Sequence, residues 1–163
     1  MGLLNKVVLF FEKPFWQEQG DFISYLPEKR GEFVAFLNGY HYQKKPWLML
    51  FTGGSTARKI ESLPLEEVVA QGMKLLRKIF GASVPDPLHS KMTQWGQDPF
   101  ALGSYSIFPP HATGESYSIL AEPEGRFYFA GEATSRHHSA TVHGAFLSGV
   151  REGKRIPPFP KKE

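Results

Sequence analysis

Cysteine is absent from this 163-residue chain. Disulfides and thiolate metal sites are therefore excluded, and the composition fits a reducing, cytoplasmic compartment. No apolar run is long enough to cross a bilayer and no signal-peptide pattern is seen, so no membrane association is expected. Charge of one sign never accumulates. The net charge is +3, the basic residues are scattered, and the run Lys161-Lys162 is short. No basic stripe with interleaved aromatics argues for nucleic acid. The glycine fingerprint G-x-G-x-x-G is also missing: Gly53-Gly54 lacks the partner glycine and the strand-turn-helix spacing. The chain carries no internal repeat and no low-complexity segment.

What is present is the material of a globular core. Hydrophobic residues make up 41% of the chain and aromatics 14%, with 14 Phe. This length can bury a core of its own. Val7-Val8-Leu9-Phe10-Phe11 is a continuous apolar run and reads as a strand buried on both faces. Lys6 precedes it and, taken alone, reads as a lysine snorkelling from the strand end. Gly31 to Asn38 reads as a strand with Phe33, Ala35 and Leu37 on one face. Gly39 to Pro46 reads as a turn-rich connection, and Trp47 to Phe51 as a second short buried strand ended by Thr52-Gly53-Gly54-Ser55. Ser62 is placed as an N-cap, with Pro64 and Glu66-Glu67 in the first turn. The helix stripe that follows is Leu65, Val68, Val69, Gly72, Met73, Leu76, Ile79 and Phe80, closed by Gly81. Lys91 to Trp95 is expected as a strand, and Pro109 to Gly114 as a loop.

The chain is organised around Arg126 to Ile156. Phe127 to Ala130 reads as a short buried strand, followed by Gly131-Glu132, a polar loop, and a helix from about Ser139 to Arg155. A helix opening near Ser139-Ala140-Thr141-Val142 presents unpaired N–H groups and a positive dipole end, which suits an electron-rich or anionic group. Val142, Ala145, Phe146, Gly149 and Val150 share one helix face. Gly144 and Ser148 keep the neighbouring stripe thin, so something can pack closely there. Arg151, Lys154 and Arg155 sit where the dipole favours cations, and Pro157-Pro158 end the helix.

The run FAGEATS…ATVHGAFLSGVREGKRI resembles the flavin-binding signature of the flavin-dependent amine oxidases, the family of polyamine oxidases, monoamine oxidases and lysine-specific histone demethylases. LNKVVLFFEKPFW, GG…SLPLEEVVAQGMKLLRKIFG and TQWGQDPFALGSYS are similar to further family segments. The resemblance covers nearly the whole chain but only the C-terminal portion of the family. It implies an α+β fold: a mixed β-sheet with packed helices over residues 1–92, as part of a substrate-binding domain. A flavin-contacting strand-loop-helix segment would follow over 93–156, with a tail at 157–163.

The resemblance also implies roles. Lys6 matches the lysine that holds a water against the flavin N5 atom, and is the catalytic candidate. Trp95, Gly131, Glu132, Thr141 and Val142 match cofactor-contacting positions. Glu132 would accept hydrogen bonds from sugar-chain hydroxyls, or else cap its loop. Tyr105 matches one wall of the amine cage. Thr141 stands where monoamine oxidases place a second tyrosine, which is nearer the polyamine-oxidase and demethylase pattern; a polyamine substrate is favoured. His138 is placed at the substrate entrance or in solvent. Phe100 stands where tryptophan is common and reads equally as core. His137, His138 and His143 lack an acidic companion, and no metal is expected. Monoamine oxidases bind flavin through a cysteine just before the cage tyrosine; here that position is Ser104, so FAD would be non-covalent.

The implied function is oxidation of an amine C–N bond to an imine, with oxygen as acceptor, once a dinucleotide-binding part completes the protein. This chain alone is expected to be inactive. Two rivals stand beside that reading: a non-catalytic interaction module without FAD, and a subunit completed in trans. A small amine or polyamine, and either the missing FAD-binding part or self-association, are the partners implied.

Overall fold

The computed structural model describes residues 1–16, 20–26, 33 and 35–157. The chain forms two compact units, Leu3–Ser104 and Met1–Gly2 with Tyr105–Glu163.

The first unit is built on one sheet. Its strands are β1 (Leu4–Phe10), β2 (Phe22–Ser24), β3 (Ala35–Asn38), β4 (Trp47–Gly53) and β5 (His89–Met92), in the order β2-β3-β4-β1-β5. Every pairing is antiparallel, so the sheet is not mixed as expected. Short connections between sequence neighbours favour that arrangement, because a parallel pair needs a long crossover. The antiparallel sheet also explains why β1 is not buried on both faces. Asn5, Val7 and Leu9 are buried, whereas Leu4, Lys6, Val8 and Phe10 are only half-buried. One face meets the core and the other does not.

Over the core face lies α3 (Leu65–Phe80), whose Val68, Gly72, Met73 and Leu76 are buried. Gly72 is what allows the approach: a Cβ there would stand 3.1 Å from a Leu50 methyl. Val7, Leu9, Phe36, Leu48, Leu50 and Leu76 form the centre of this core. Each such side chain stabilises the fold by about 1.5–3 kcal/mol. Trp16 closes one end, its indole N–H donating to Asn38 Oδ1 at 2.8 Å.

Several expectations shift here. The strand placed over Gly31 to Asn38 lies partly outside the described residues, and its described part is β3. The buried row of β3 is Phe36 and Asn38, not Ala35 and Leu37, because Phe36 pairs opposite the buried Leu50 and Asn38 opposite Leu48. The connection after β3 contains a short helix, α1 (Gly39–Gln43), capped by the Asn38 side chain accepting from Tyr40 N. β4 runs two residues further than expected and leads directly into α2 (Gly54–Glu61), where no helix was expected. Ser62 ends α2, donating its hydroxyl to Lys59 O at 2.7 Å, while Pro64 sits at the N-cap of α3. Gly81 does stop α3, with φ of 100°, a region that glycine enters without strain. β5 ends at Met92, three residues short of Trp95.

The second unit contains α4 (Glu115–Leu120), a single 3-10 turn (Glu132–Thr134) and α5 (Val142–Arg155). Phe127 to Ala130 is not a buried strand. Only one isolated bridge, Glu124 to Phe127, touches it, and Phe127 is 71% exposed. An extended segment becomes a strand only where a neighbour takes its N–H and C=O groups, and no described strand lies alongside. On α5 the close packing falls on the small-residue stripe, as expected. Gly144, Ser148 and Glu152 are its buried residues, while Val142 is 88% and Phe146 69% exposed. The thin stripe is the packed one: a methyl on Gly144 would run into the His138 carbonyl. The end of α5 is as expected at Arg155, with Ile156 as C-cap; Pro158 and the tail beyond lie outside the described residues.

Candidate functional site

The candidate residues fall into two groups, one on each unit. In the first unit, Lys6 lies on the half-buried face of β1, opposite Phe51 of β4. Its N–H donates to Thr93 Oγ1 at 2.9 Å and its carbonyl accepts from Thr93 N at 3.0 Å. Trp95 follows in a turn beyond β5 and is 38% exposed. Its backbone N–H donates to Asn5 Oδ1 at 3.2 Å. Phe100 is 99% exposed, so it is not core. Ser104 has its hydroxyl tied to β1: it accepts from Leu4 N and donates to Leu4 O, both at 2.8 Å.

In the second unit, Tyr105 is half-buried and its carbonyl accepts from Gly2 N at 2.7 Å. Glu132 is the hub. Oε1 accepts from Ser106 N at 2.7 Å, and Oε2 accepts from Ser106 Oγ at 2.6 Å and Ala140 N at 2.5 Å. Its partial burial opposes ionisation. The hydrogen bonds from the Ser106 side chain and backbone and from Ala140 outweigh that, and the carboxyl is held below its ordinary pKa. Three of its acceptor positions are thus used within the unit. Ala140 has φ of 58°, a left-handed conformation that alanine adopts at a cost. The Glu132 bond holds it there.

Thr141 then caps α5. Its Oγ1 accepts from Gly144 N at 3.0 Å and donates to His138 O at 2.6 Å. No acceptor among the described residues meets the N–H groups of Val142 or His143, at the positive end of a 14-residue helix. Gly131 has φ of 125°, and its N–H donates to Ser148 Oγ at 2.8 Å. His138 is exposed and its ring meets His143 edge-on at 4.7 Å.

Sequence reasoning missed the groups that hold this loop. Arg151, read as a cation at the helix end, donates to Thr134 O at 2.8 Å, Thr134 Oγ1 at 2.9 Å and Phe129 O at 3.0 Å. Its Nε also meets Glu152 Oε1, and Arg155 donates to the same oxygen at 3.1 Å. Asn5 and Glu61, both buried, were also missed. A polar residue inside an apolar run, as Asn5 is in LLNKVV, was the available sign.

The Glu132 geometry sets a pH dependence. A carboxyl with a lowered folded pKa adds stability that is present above its unfolded pKa of about 4.3 and is lost as pH falls through the lower folded value. Glu132→Gln turns an acceptor into a donor facing N–H groups and should cost about 1–3 kcal/mol at neutral pH. Thermal unfolding of both proteins from pH 7 to pH 3 should show the gap closing below about pH 4.3. A gap independent of pH would refute the ionised hub.

A family model described as flavin containing amine oxidoreductase matches residues 1–157. The chain is 45% identical to a lysine-specific histone demethylase 1 homolog 3 from Oryza sativa subsp. indica, over 95% of this chain and 20% of that protein. It is 43% identical to the protein FLOWERING LOCUS D of Arabidopsis thaliana, over 95% of this chain and 21% of that one. Among solved structures it is similar to a cyclohexylamine oxidase from Brevibacterium oxydans IH-35A, with TM-score 0.76 and 27% identity, over 96% of this chain and 35% of the other. A putrescine oxidase double mutant shares the fold at TM-score 0.77 and 22% identity, over 94% and 34%. The chain therefore spans about a fifth of the length of these curated relatives.

Proposed function

This chain belongs to the flavin-containing amine oxidoreductase family, and we propose that it forms part of a longer FAD-dependent enzyme that oxidises an amine C–N bond to an imine, with oxygen as acceptor. The observation that carries the reading is the start of α5, where Thr141 takes the Gly144 N–H and leaves those of Val142 and His143 unclaimed. These donors and the helix dipole suit the negative charge that a reduced flavin gathers at one edge. FAD, when bound, supplies the hydride acceptor. Glu132 keeps the donor loop in place and has one acceptor position left for a sugar-chain hydroxyl. Lys6 would hold a water for proton movement at the flavin. Trp95 would lie against the ring, and Tyr105 would wall the amine.

The amine is open between two chemistries. Thr141 in place of a tyrosine favours a polyamine. The relatives named as lysine-specific histone demethylases favour a methylated lysine side chain. Oxygen as acceptor and a cytoplasmic location belong to the same proposal. FAD would be held without a covalent bond, since the residue before Tyr105 is Ser104, whose hydroxyl is engaged with Leu4.

The test uses the completed enzyme, joined to its dinucleotide-binding part in cis or in trans. Peroxide release with spermine, spermidine, benzylamine and a methyl-lysine peptide reads the substrate. Acid precipitation should leave all flavin in the supernatant. Absence of bound flavin, or no turnover of any amine, would remove the reading in favour of a non-catalytic module. Flavin retained on the precipitate would remove the non-covalent assignment alone.

A further inference from the structure

Beneath Lys6 and Trp95 lies a buried polar network that no role above uses. Asn5 is fully buried and Glu61 is 5% exposed. Asn5 Nδ2 donates to Glu61 Oε1 at 2.7 Å, and Gly96 N donates to the same oxygen at 2.8 Å. Asn5 Oδ1 accepts from Trp95 N and, at 3.0 Å, from Thr93 Oγ1, which itself accepts from Lys6 N. The Glu61 carbonyl accepts from Gln94 Nε2 at 3.2 Å and Gln97 Nε2 at 2.5 Å. No described lysine or arginine pairs with the Glu61 carboxylate.

A buried carboxylate held by N–H donors is costly, and apolar residues of the same volume commonly serve a fold as well or better. What this one does is local. β5 ends at Met92 and the last backbone bond to β1 is Thr93 N to Lys6 O, so residues 94–96 lie beyond the sheet ladder. The Asn5–Glu61 pair replaces the missing ladder. Gly96 makes room for it: a Cβ there would lie 2.5 Å from Glu61 Oε2.

We propose that Asn5 and Glu61 are positioning residues that aim Lys6 and Trp95 through Thr93 and the backbone of Trp95-Gly96. The aim toward flavin rests on the function proposed above; the clamp itself does not. Asn5→Asp sets a second carboxylate against Glu61. In the 163-residue chain, amide hydrogen exchange at Trp95 and Gly96 should quicken at least tenfold, with Val7 and Leu9 unchanged. The double variant Asn5→Asp/Glu61→Gln restores a donor–acceptor pair in the reverse sense and should recover protection at Trp95 to within about threefold, since groups in one network couple, while Gly96, whose N–H then meets an amide nitrogen in place of Glu61 Oε1, stays fast. If Asn5→Asp does not fold, Thr93→Val removes both Oγ1 bonds, the one accepted from Lys6 N and the one donated to Asn5 Oδ1, and should quicken exchange at the Lys6 amide with Val7 and Leu9 unchanged.

In the completed enzyme, Asn5→Asp should slow reaction of reduced flavin with oxygen about tenfold, without changing amine KM, and the double variant should restore the rate. A purely structural role would instead lower flavin content and melting temperature and raise KM together. Unchanged exchange at Trp95 and Gly96 overturns the clamp whatever the flavin does. Altered exchange with unaltered flavin rates overturns the positioning role. A wild-type enzyme that binds no flavin overturns the function above, and the aim toward flavin with it, while the exchange result still decides the clamp.

Discussion

FAD added in excess to the purified 163-residue chain should not stay bound through a desalting column, and no sustained peroxide release should follow with any amine. The chain carries the Glu132 hub, the start of α5, Lys6 and Trp95. It carries no G-x-G-x-x-G turn for a pyrophosphate. Charged groups held by several hydrogen bonds gain about 1.5–3 kcal/mol from each. Because about 1.4 kcal/mol is a factor of ten, losing a few lowers affinity by orders of magnitude. Exposure of Val142, Phe146, Leu147 and Val150 along α5, with Phe127 nearby in sequence order, adds an apolar surface that water covers poorly. Self-association or capture of the dinucleotide-binding part should therefore be visible by light scattering. Stoichiometric FAD with sustained turnover, and no second polypeptide present, would show that this chain is sufficient.

Lys6→Met should separate chemistry from stability. The Lys6 backbone is in the β1 ladder and bonded to Thr93, and the variant keeps both contacts. The side chain leaves the half-buried face, away from Val7 and Leu9, and methionine replaces its aliphatic stem with little change in packing. The melting temperature of the chain should move by no more than a degree or two, in the range of surface substitutions. In the completed enzyme the loss of a positioned proton-moving group should slow reduced flavin with oxygen, or amine oxidation, by about a hundredfold. Stopped-flow measurement of both half-reactions decides it. Wild-type rates in both would strip Lys6 of its role, and a large fall in melting temperature would mark it as structural.

The exposed faces explain why some of the fold could be read in advance and some could not. α3 was legible because its stripe from Leu65 to Phe80 and its stop at Gly81 are local facts, set by helical period and by the φ only glycine takes easily. The opening of α5 was legible only to within a few residues, over Ser139 to Val142; the structure starts the helix at Val142 with Thr141 as its cap. By contrast, α2 begins after a glycine with no side-chain cap, and its helical face emerges only when Ala57, Ile60 and Glu61 are buried.

The sequence by itself determined where α3 and α5 stop, which residues could accept or donate, and that this chain carries no thiol and no G-x-G-x-x-G turn. Only the tertiary structure decided which face of each element is inside. Apolar residues on α5 point outward because the close approach of the Glu132 loop demands the small stripe of Gly144 and Ser148. Phe127 to Ala130 makes only the Glu124–Phe127 bridge because no described strand lies alongside it. Asn5 and Glu61, 56 positions apart, become one unit because pairing of β1 with β4, followed by α2, brings a donor to an acceptor at 2.7 Å in a dry place. Helical period and capping act within a few residues, whereas burial and pairing depend on partners far along the chain, and that separation divides what was readable from what was not.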